Sequence, residues 1–268
     1  MRWRQWRWWT WGVVFWAPIA VNAGESWAQR VQRGGRKEIS VEEAAKSGVE
    51  QEQDRRNKIA MRRLKLRNTD WDADPTAIPY VHYQIEKRTD LPVYVDNEGL
   101  DPATDEVFAH TLLYATSHGR WALNEKETEN LSLFLQRGGT LLLDDCYNRG
   151  SGFAESVPTE VGKLIPGAEP IMLLKEDPVV ADCFKMVYPT PWPGEISDME
   201  NRPWQYYMLD QRPAIFFSPN DEGCGWEVST PPSASNPIGE GIGHGGDNKA
   251  RELMYQWAVN WVIFALTH

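Results

Sequence analysis

Apolar and polar positions change period along the chain, and each change marks an element. Leu64 and Leu66 alternate with charged residues, which predicts a strand near a sheet edge starting around Met61. Asp74 followed by Pro75 reads as an N-cap and first helical turn, opening a helix that runs to Arg88. Leu91–Val95 reads as a short strand. Thr111–Thr116, Thr140–Leu143 and Ala214–Phe217 are apolar on both faces, as in strands covered from both sides. Between the first two of these, Asn124 and Glu127 open a helix with Leu131, Phe134 and Leu135 on one face, and Gly138 and Gly139 end it. Phe153–Leu164 reads as a helix and Ile171–Leu174 as a strand. Residues 186–212, rich in Pro and Trp, read as a surface excursion. A long loop with Cys224, Trp226 and the run Gly239–Gly246 precedes a closing helix from Asp247 to Leu266. Helix, short loop and doubly buried strand in alternation predict an α/β protein with a mostly parallel sheet covered on both faces, three layers in αβα order.

The first 60 residues follow other rules. Arg2, Arg4 and Arg7 lead into an apolar run from Trp8 to Ala20, with small-residue cleavage options at Val21-Asn22-Ala23 and Ser26-Trp27-Ala28. That pattern predicts a secretory signal over 1–28. The apolar run is about 13 residues, short of the roughly 20 that a spanning helix needs. Residues 29–60 read as a basic linker and helical arm, with Ser40-Val41-Glu42-Glu43 as a capping box. Residues 61–268 form the α/β domain. The expected location is periplasmic or secreted, with no stable membrane span once the signal is cut.

Charge sharpens this division. Residues 29–67 carry 12 basic and 6 acidic side chains, whereas residues 68–268 carry 13 basic and 31 acidic. With a whole-chain net charge of −10, the body is unsuited to polyanions, so no nucleic-acid partner is expected. The three cysteines, Cys146, Cys183 and Cys224, allow at most one internal disulfide, and none has zinc-motif spacing.

Ligands of open parallel sheets bind outside the carboxyl ends of the strands. Asp70, Trp71, Asp72 and Asp74 follow the first strand, and Ser117, His118 and Gly119 follow Thr111–Thr116. Asp144, Asp145 and Cys146 follow Thr140–Leu143, and Ser218, Asn220, Asp221 and Cys224 follow Ala214–Phe217. Asp72, His118, Gly119, Asp144, Asp145, Asp221 and Trp226 are the expected ligand-binding residues. Two chemistries fit that edge. Asp72, Asp144, Asp145 and Asp221 with His118 suit a divalent cation, and the adjacent Asp144 and Asp145 are its first candidates because close like charges need one. Alternatively, Cys146 is a nucleophile with His244 as base, oriented by Glu240 or Asp247. The bulky neighbours of Cys146 do not suit a strained nucleophile elbow.

Several of these pieces in order resemble a known family. Leu64-Lys65-Leu66 with Asp70 to Ala77, Ser117-His118-Gly119, Leu135 to Asp145, Ser218-Pro219-Asn220-Asp221 with Gly225-Trp226, and the last helix with Asn260 are similar to domain of unknown function family 4159. The resemblance spans residues 61–266. That family is distantly similar to class I glutamine amidotransferases and trehalose-utilisation-type proteins, which implies a flavodoxin-like sheet. It also implies, by position, that Cys146 stands where those enzymes keep a catalytic Cys. The glycine-flanked nucleophile and His-Pro-Glu motif of those enzymes are absent. Two functions are therefore expected of the strand-end residues: a small-molecule or carbohydrate binding module of the cell envelope, or a hydrolase dependent on a metal or on Cys146.

Overall fold

The computed structural model describes residues 58–94, 98–147, 152–174, 176–179, 202–242 and 248–268. The signal segment, the basic arm, Cys183 and His244 lie outside the described residues. In chain order the elements are β1 (Met61–Arg63), α1 (Ala77–Arg88), a 3-10 turn (Asp105–Ala109), β2 (Leu112–Ser117), α2 (Glu125–Gln136), β3 (Thr140–Asp145) and α3 (Gly152–Leu164). There follow β4 (Ile171–Met172), β5 (Gln205–Leu209), β6 (Arg212–Ser218), α4 (Glu222–Trp226), β7 (Val228–Thr230), β8 (Glu240–Gly241) and α5 (Asn248–Thr267).

Six strands form one sheet in the order β1-β2-β3-β6-β5-β4. β1, β2, β3 and β6 run parallel, with Leu142 in register between Tyr114 and Phe216. β5 and β4 add an antiparallel extension. Outside β1, parallel bridges join Ile59 to Val93 and Leu64 to Leu100. The chain moves outward from β1 through α1 and inward from β2 through α2. Right-handed crossovers in opposite directions put those helices on opposite faces.

The alternation of strand residues confirms the two faces. Leu112, Tyr114, Leu142 and Phe216 pack with Val81 and Ile85 of α1 and Trp257, Trp261 and Phe264 of α5. Leu113, Ala115, Leu141, Leu143, Ile215 and Phe217 pack with Leu131, Phe134 and Leu135 of α2 and Phe153, Val157 and Val161 of α3. Strands with apolar residues on both sides thus sit between two helical layers, as the doubly apolar runs predict.

The local signals for α2 hold in detail. Glu127 N–H donates to Asn124 Oδ1 at 2.8 Å and the Glu127 carboxylate accepts from Asn124 N–H at 2.8 Å, completing the capping box. Gly138 ends the helix in the left-handed region, φ 95°.

β1 is the terminal strand of this sheet, near its edge as the alternation predicts, with only isolated bridges beyond it among the described residues. Lys65 and Arg67, which alternate with Leu64 and Leu66, are exposed. Arg62 and Arg63, within β1, are buried and partnered, by the Glu98 carbonyl and Glu106 for the first and by the Asp74 carbonyl for the second. Two expectations are corrected. Asp74 does not cap α1: the cap position is Thr76, and Asp74 lies further back with its carboxylate turned into the protein. Finally, Gln205–Leu209 is a paired strand, with Trp204 buried beside it, inside the segment read as a surface excursion.

Candidate functional site

The loops after β1, β2, β3 and β6 meet at the carboxyl edge of the parallel strands. Asn68, in the left-handed region at φ 57°, turns the chain out of the first strand into Thr69 and Asp70. Asp70 accepts hydrogen bonds from Ser117 Oγ at 2.7 Å and His118 N–H at 3.0 Å. It also closes a short contact on His118 Nδ1. Its partial burial opposes the charged form, but the bonds from Ser117 and His118 outweigh this and hold the carboxyl far below its ordinary range. A fixed carboxylate on Nδ1 turns Nε2 outward as an acceptor. Nε2 lies 3.3 Å from Cys146 Sγ.

Cys146 continues β3 by one residue and is almost fully buried. Its sulfur lies 3.5 Å from Asp74 Oδ2, and Cys224 Sγ lies 3.4 Å from Asp74 Oδ1. Asp221, Cys224's hydrogen-bond partner, completes the group. One ligand atom each from Asp74, Cys146, Asp221 and Cys224 lies within 4.8 Å of all the others. Asp74, Cys146 and Asp221 are buried, while Cys224 is half-buried.

Burial raises the Asp74 carboxyl, against the pull of the thiols and of Arg63. Burial and the neighbouring Asp74 charge push Asp221 up to about 7. The Cys146 thiol is raised strongly by its hydrogen bond with Cys224, by burial and by the charges of Asp74 and Asp221. Asp74 and Asp221 therefore oppose each other's ionisation and that of both thiols, while the thiol hydrogen bonds favour the carboxylate forms. A proton on each is one resolution, and a divalent cation is the other. Two thiolates and two carboxylates at this spacing are a donor set for a zinc-type ion, as thiolate favours soft or borderline metals over magnesium or calcium.

Asp144 lies directly beneath the cluster and has a different task. Its oxygens accept from Tyr114 O–H at 2.8 Å, Glu222 N–H at 3.0 Å and Gly223 N–H at 2.7 Å. It therefore pins the first turn of α4, which carries Cys224. A Cβ on Gly223 would run into the Asp74 carboxylate and come within 2.7 Å of the Tyr114 hydroxyl, so only glycine permits this approach. Glu222, pushed up to about 7 by burial, accepts from Trp204 Nε1 and Ser218 Oγ.

The structure thus sorts the expected residues. It brings His118 and Asp221 to the cluster with Cys146. Gly119 stays in the adjoining turn, its N–H on Ser117 Oγ at 2.8 Å. Asp144 lies beside the cluster as a structural anchor. Asp145 points to the other face of the sheet, with Arg202 4.0 Å away. Asp72 is exposed and Trp226 is core, its indole N–H on the Met254 carbonyl. His118 stands beside Cys146, while His244, the base expected from sequence, lies outside the described residues. Sequence reasoning assigned no role at this edge to Asp70 or Cys224, and only a capping role to Asp74. The signal available for them was the spacing of three acids, Asp70, Asp72 and Asp74, in one strand-end loop and a cysteine three residues beyond Asp221.

These features define an α/β protein with a thiol- and carboxylate-lined centre at the carboxyl edge of a parallel sheet. The chain belongs to the family described as Domain of unknown function (DUF4159), which matches residues 60–266. A search of the curated proteins gave no match. No helix among the described residues is long and apolar enough to cross a membrane.

Proposed function

We propose that this protein is an exported, metal-dependent hydrolase whose ion is held by Asp74, Cys146, Asp221 and Cys224. The observation that carries the reading is the convergence of those four ligand atoms within 4.8 Å, on residues that are buried apart from half-buried Cys224. A cation held there would offset the mutual opposition of Asp74 and Asp221 and stabilise the thiolates, and it would supply an activated water wherever one of the four donors yields its position. His118, half exposed and oriented by Asp70, stands 3.3 Å from Cys146 Sγ on the exposed side of the cluster, within reach of a general base or acid role. The strand order supports a flavodoxin-like reading: with the bridged segment at Val93 and Leu100 outside β1, the parallel strands run 2-1-3-4-5, and the site lies at their carboxyl ends. The Arg-led apolar start supports export.

A thiol-dependent hydrolase is the second reading, favoured by the chain Asp70–His118–Cys146. It has less support, because Asp74 and Asp221 oppose the thiolate it requires. A carbohydrate-binding module has less again, since Trp226 is 1% exposed and offers no face to a sugar.

The test is metal binding by the intact protein. Loading with zinc, then with cobalt(II) for its thiolate charge-transfer bands, is expected to give one ion per chain. Asp74→Asn and Cys224→Ser should each weaken binding by tenfold or more, while Asp72→Asn leaves it unchanged. Absence of thiolate bands and of bound zinc would overturn the metal reading.

A further inference from the structure

Cys146 ends a central strand and Cys224 sits in α4, yet their thiols share a hydrogen bond. Both are free, and both sulfurs belong to the group of atoms within 4.8 Å of one another. A disulfide brings sulfurs to about 2.05 Å, so rotamer-scale movement separates the two states. The neighbours supply the rest of the chemistry. His118 Nε2 lies 3.3 Å from Cys146 Sγ, with its ring anchored by Asp70. Cys224 is half-buried and meets a small oxidant first, while Cys146, 3% exposed, lies behind it.

We propose that Cys146 and Cys224 are a reversible redox pair, oxidised by a hydroperoxide to an intramolecular disulfide that dismantles the metal site. The Cys224 sulfur attacks the peroxide oxygen. The O–O bond breaks, Cys224 becomes a sulfenic acid, and the thiol proton leaves with the departing oxygen as water or an alcohol. The Cys146 sulfur then attacks the Cys224 sulfur as His118 Nε2 takes the Cys146 proton in the same step, so no free thiolate stands beside Asp74 and Asp221. The S–S bond forms, the S–O bond breaks, and the oxygen leaves as water with the proton returned by His118. Two thiols are oxidised by two electrons and one peroxide is reduced. A dithiol reductant reverses the change by exchange. Loss of the ion on oxidation rests on the metal reading above, because the disulfide removes two of four donors. The redox pair itself does not.

The test treats full-length protein, in chelated and zinc-loaded forms, with one equivalent of hydrogen peroxide, followed by alkylation and peptide mass mapping. The expected product is a dithiothreitol-reversible Cys146–Cys224 crosslink, two mass units lighter than the reduced pair, with release of zinc to a chromogenic chelator. Cys183→Ser should leave the product unchanged. His118→Asn should slow it by about 100-fold, the low end of general-base contributions. A crosslink to Cys183, or both thiols still open to alkylation, would overturn the proposal. A Cys146–Cys224 crosslink in a chain that never bound zinc would leave the pair standing and remove the metal reading. Bound zinc with no crosslink would do the reverse.

Discussion

Asp221 adopts the left-handed backbone region, φ 58° and ψ 53°, at the junction of β6 and α4. Such a conformation costs a non-glycine residue on the order of 1 kcal/mol or more, and Asp and Asn bear it best. It directs the Asp221 carboxylate toward Cys224 and Asp74, where burial pushes the carboxyl up to about 7. The consequence has a definite sign. A carboxyl raised on folding keeps its proton in the native state after the unfolded chain has lost it, so stability falls as pH rises from about 4 to about 7. Metal-free protein should therefore lose stability between pH 5 and pH 8, by a few kcal/mol at most. Asp221→Asn, which retains the backbone preference, should flatten that slope, and urea melts with a chelator at the two pH values measure it. Asp144 gives a contrasting expectation. Because it satisfies the amides of Glu222 and Gly223, Asp144→Asn should cost about 1–3 kcal/mol with or without zinc. A variant that lost only the zinc-dependent stability would place Asp144 among the ligands.

At the level of elements, α5 does more than cover one face. Arg251 is buried and donates to the carbonyls of Gly225, Glu227 and Gly239, at 3.3, 3.0 and 2.8 Å. Those carbonyls belong to the end of α4 and to the β7–β8 ribbon, so one guanidinium ties the loop after β6 to the last helix. A lysine cannot reach all three from a single ammonium. Arg251→Lys should lower the urea midpoint by an amount equal to about 1–3 kcal/mol, and it should loosen zinc binding through Cys224.

The parallel strands, α1, α2 and α5 were legible in sequence because their signals are local: doubly apolar runs, a capping box, paired glycines. α4, β7 and β8 carry no such signal. They are held by Arg251 and by Asp144, contacts made far along the chain. The same distinction explains the site. His118 and Asp221 stood at recognisable strand ends, whereas Asp74 looked like a cap, because Asp-Pro before a helix has that local meaning and only tertiary packing turns its side chain inward.

For the whole molecule, the charge division between residues 29–67 and the acidic body, with the apolar start before them, carries one further expectation. Protein recovered from the cell envelope should begin at Gly24 or Gln29 on N-terminal sequencing. A cytosolic chain beginning at Met1 would overturn export. The fold also limits which parts are independent. The antiparallel extension continues the sheet from β6 through β5 to β4, so β6 is the last strand of this sheet in the chain and lies between β3 and β5, both of which precede it.

The four donors come from three segments distant in the chain, Asp221 and Cys224 sharing the last, and this order has a consequence for how the protein is made. A chain threaded out of a channel from its N-terminus presents Cys146 first, then Cys183, and only later Cys224. Oxidation that keeps pace with emergence joins neighbours in that order, and the first bond available is Cys146 to Cys183. The sulfur pair found at the sheet edge is non-consecutive. A Cys146–Cys183 bond made first would keep Cys146 from joining Cys224, and both thiols have to be free for the proposed ion. On the export reading, recovery of the metal site should therefore depend on an activity that reduces or reshuffles a premature Cys146–Cys183 bond, rather than on oxidising power.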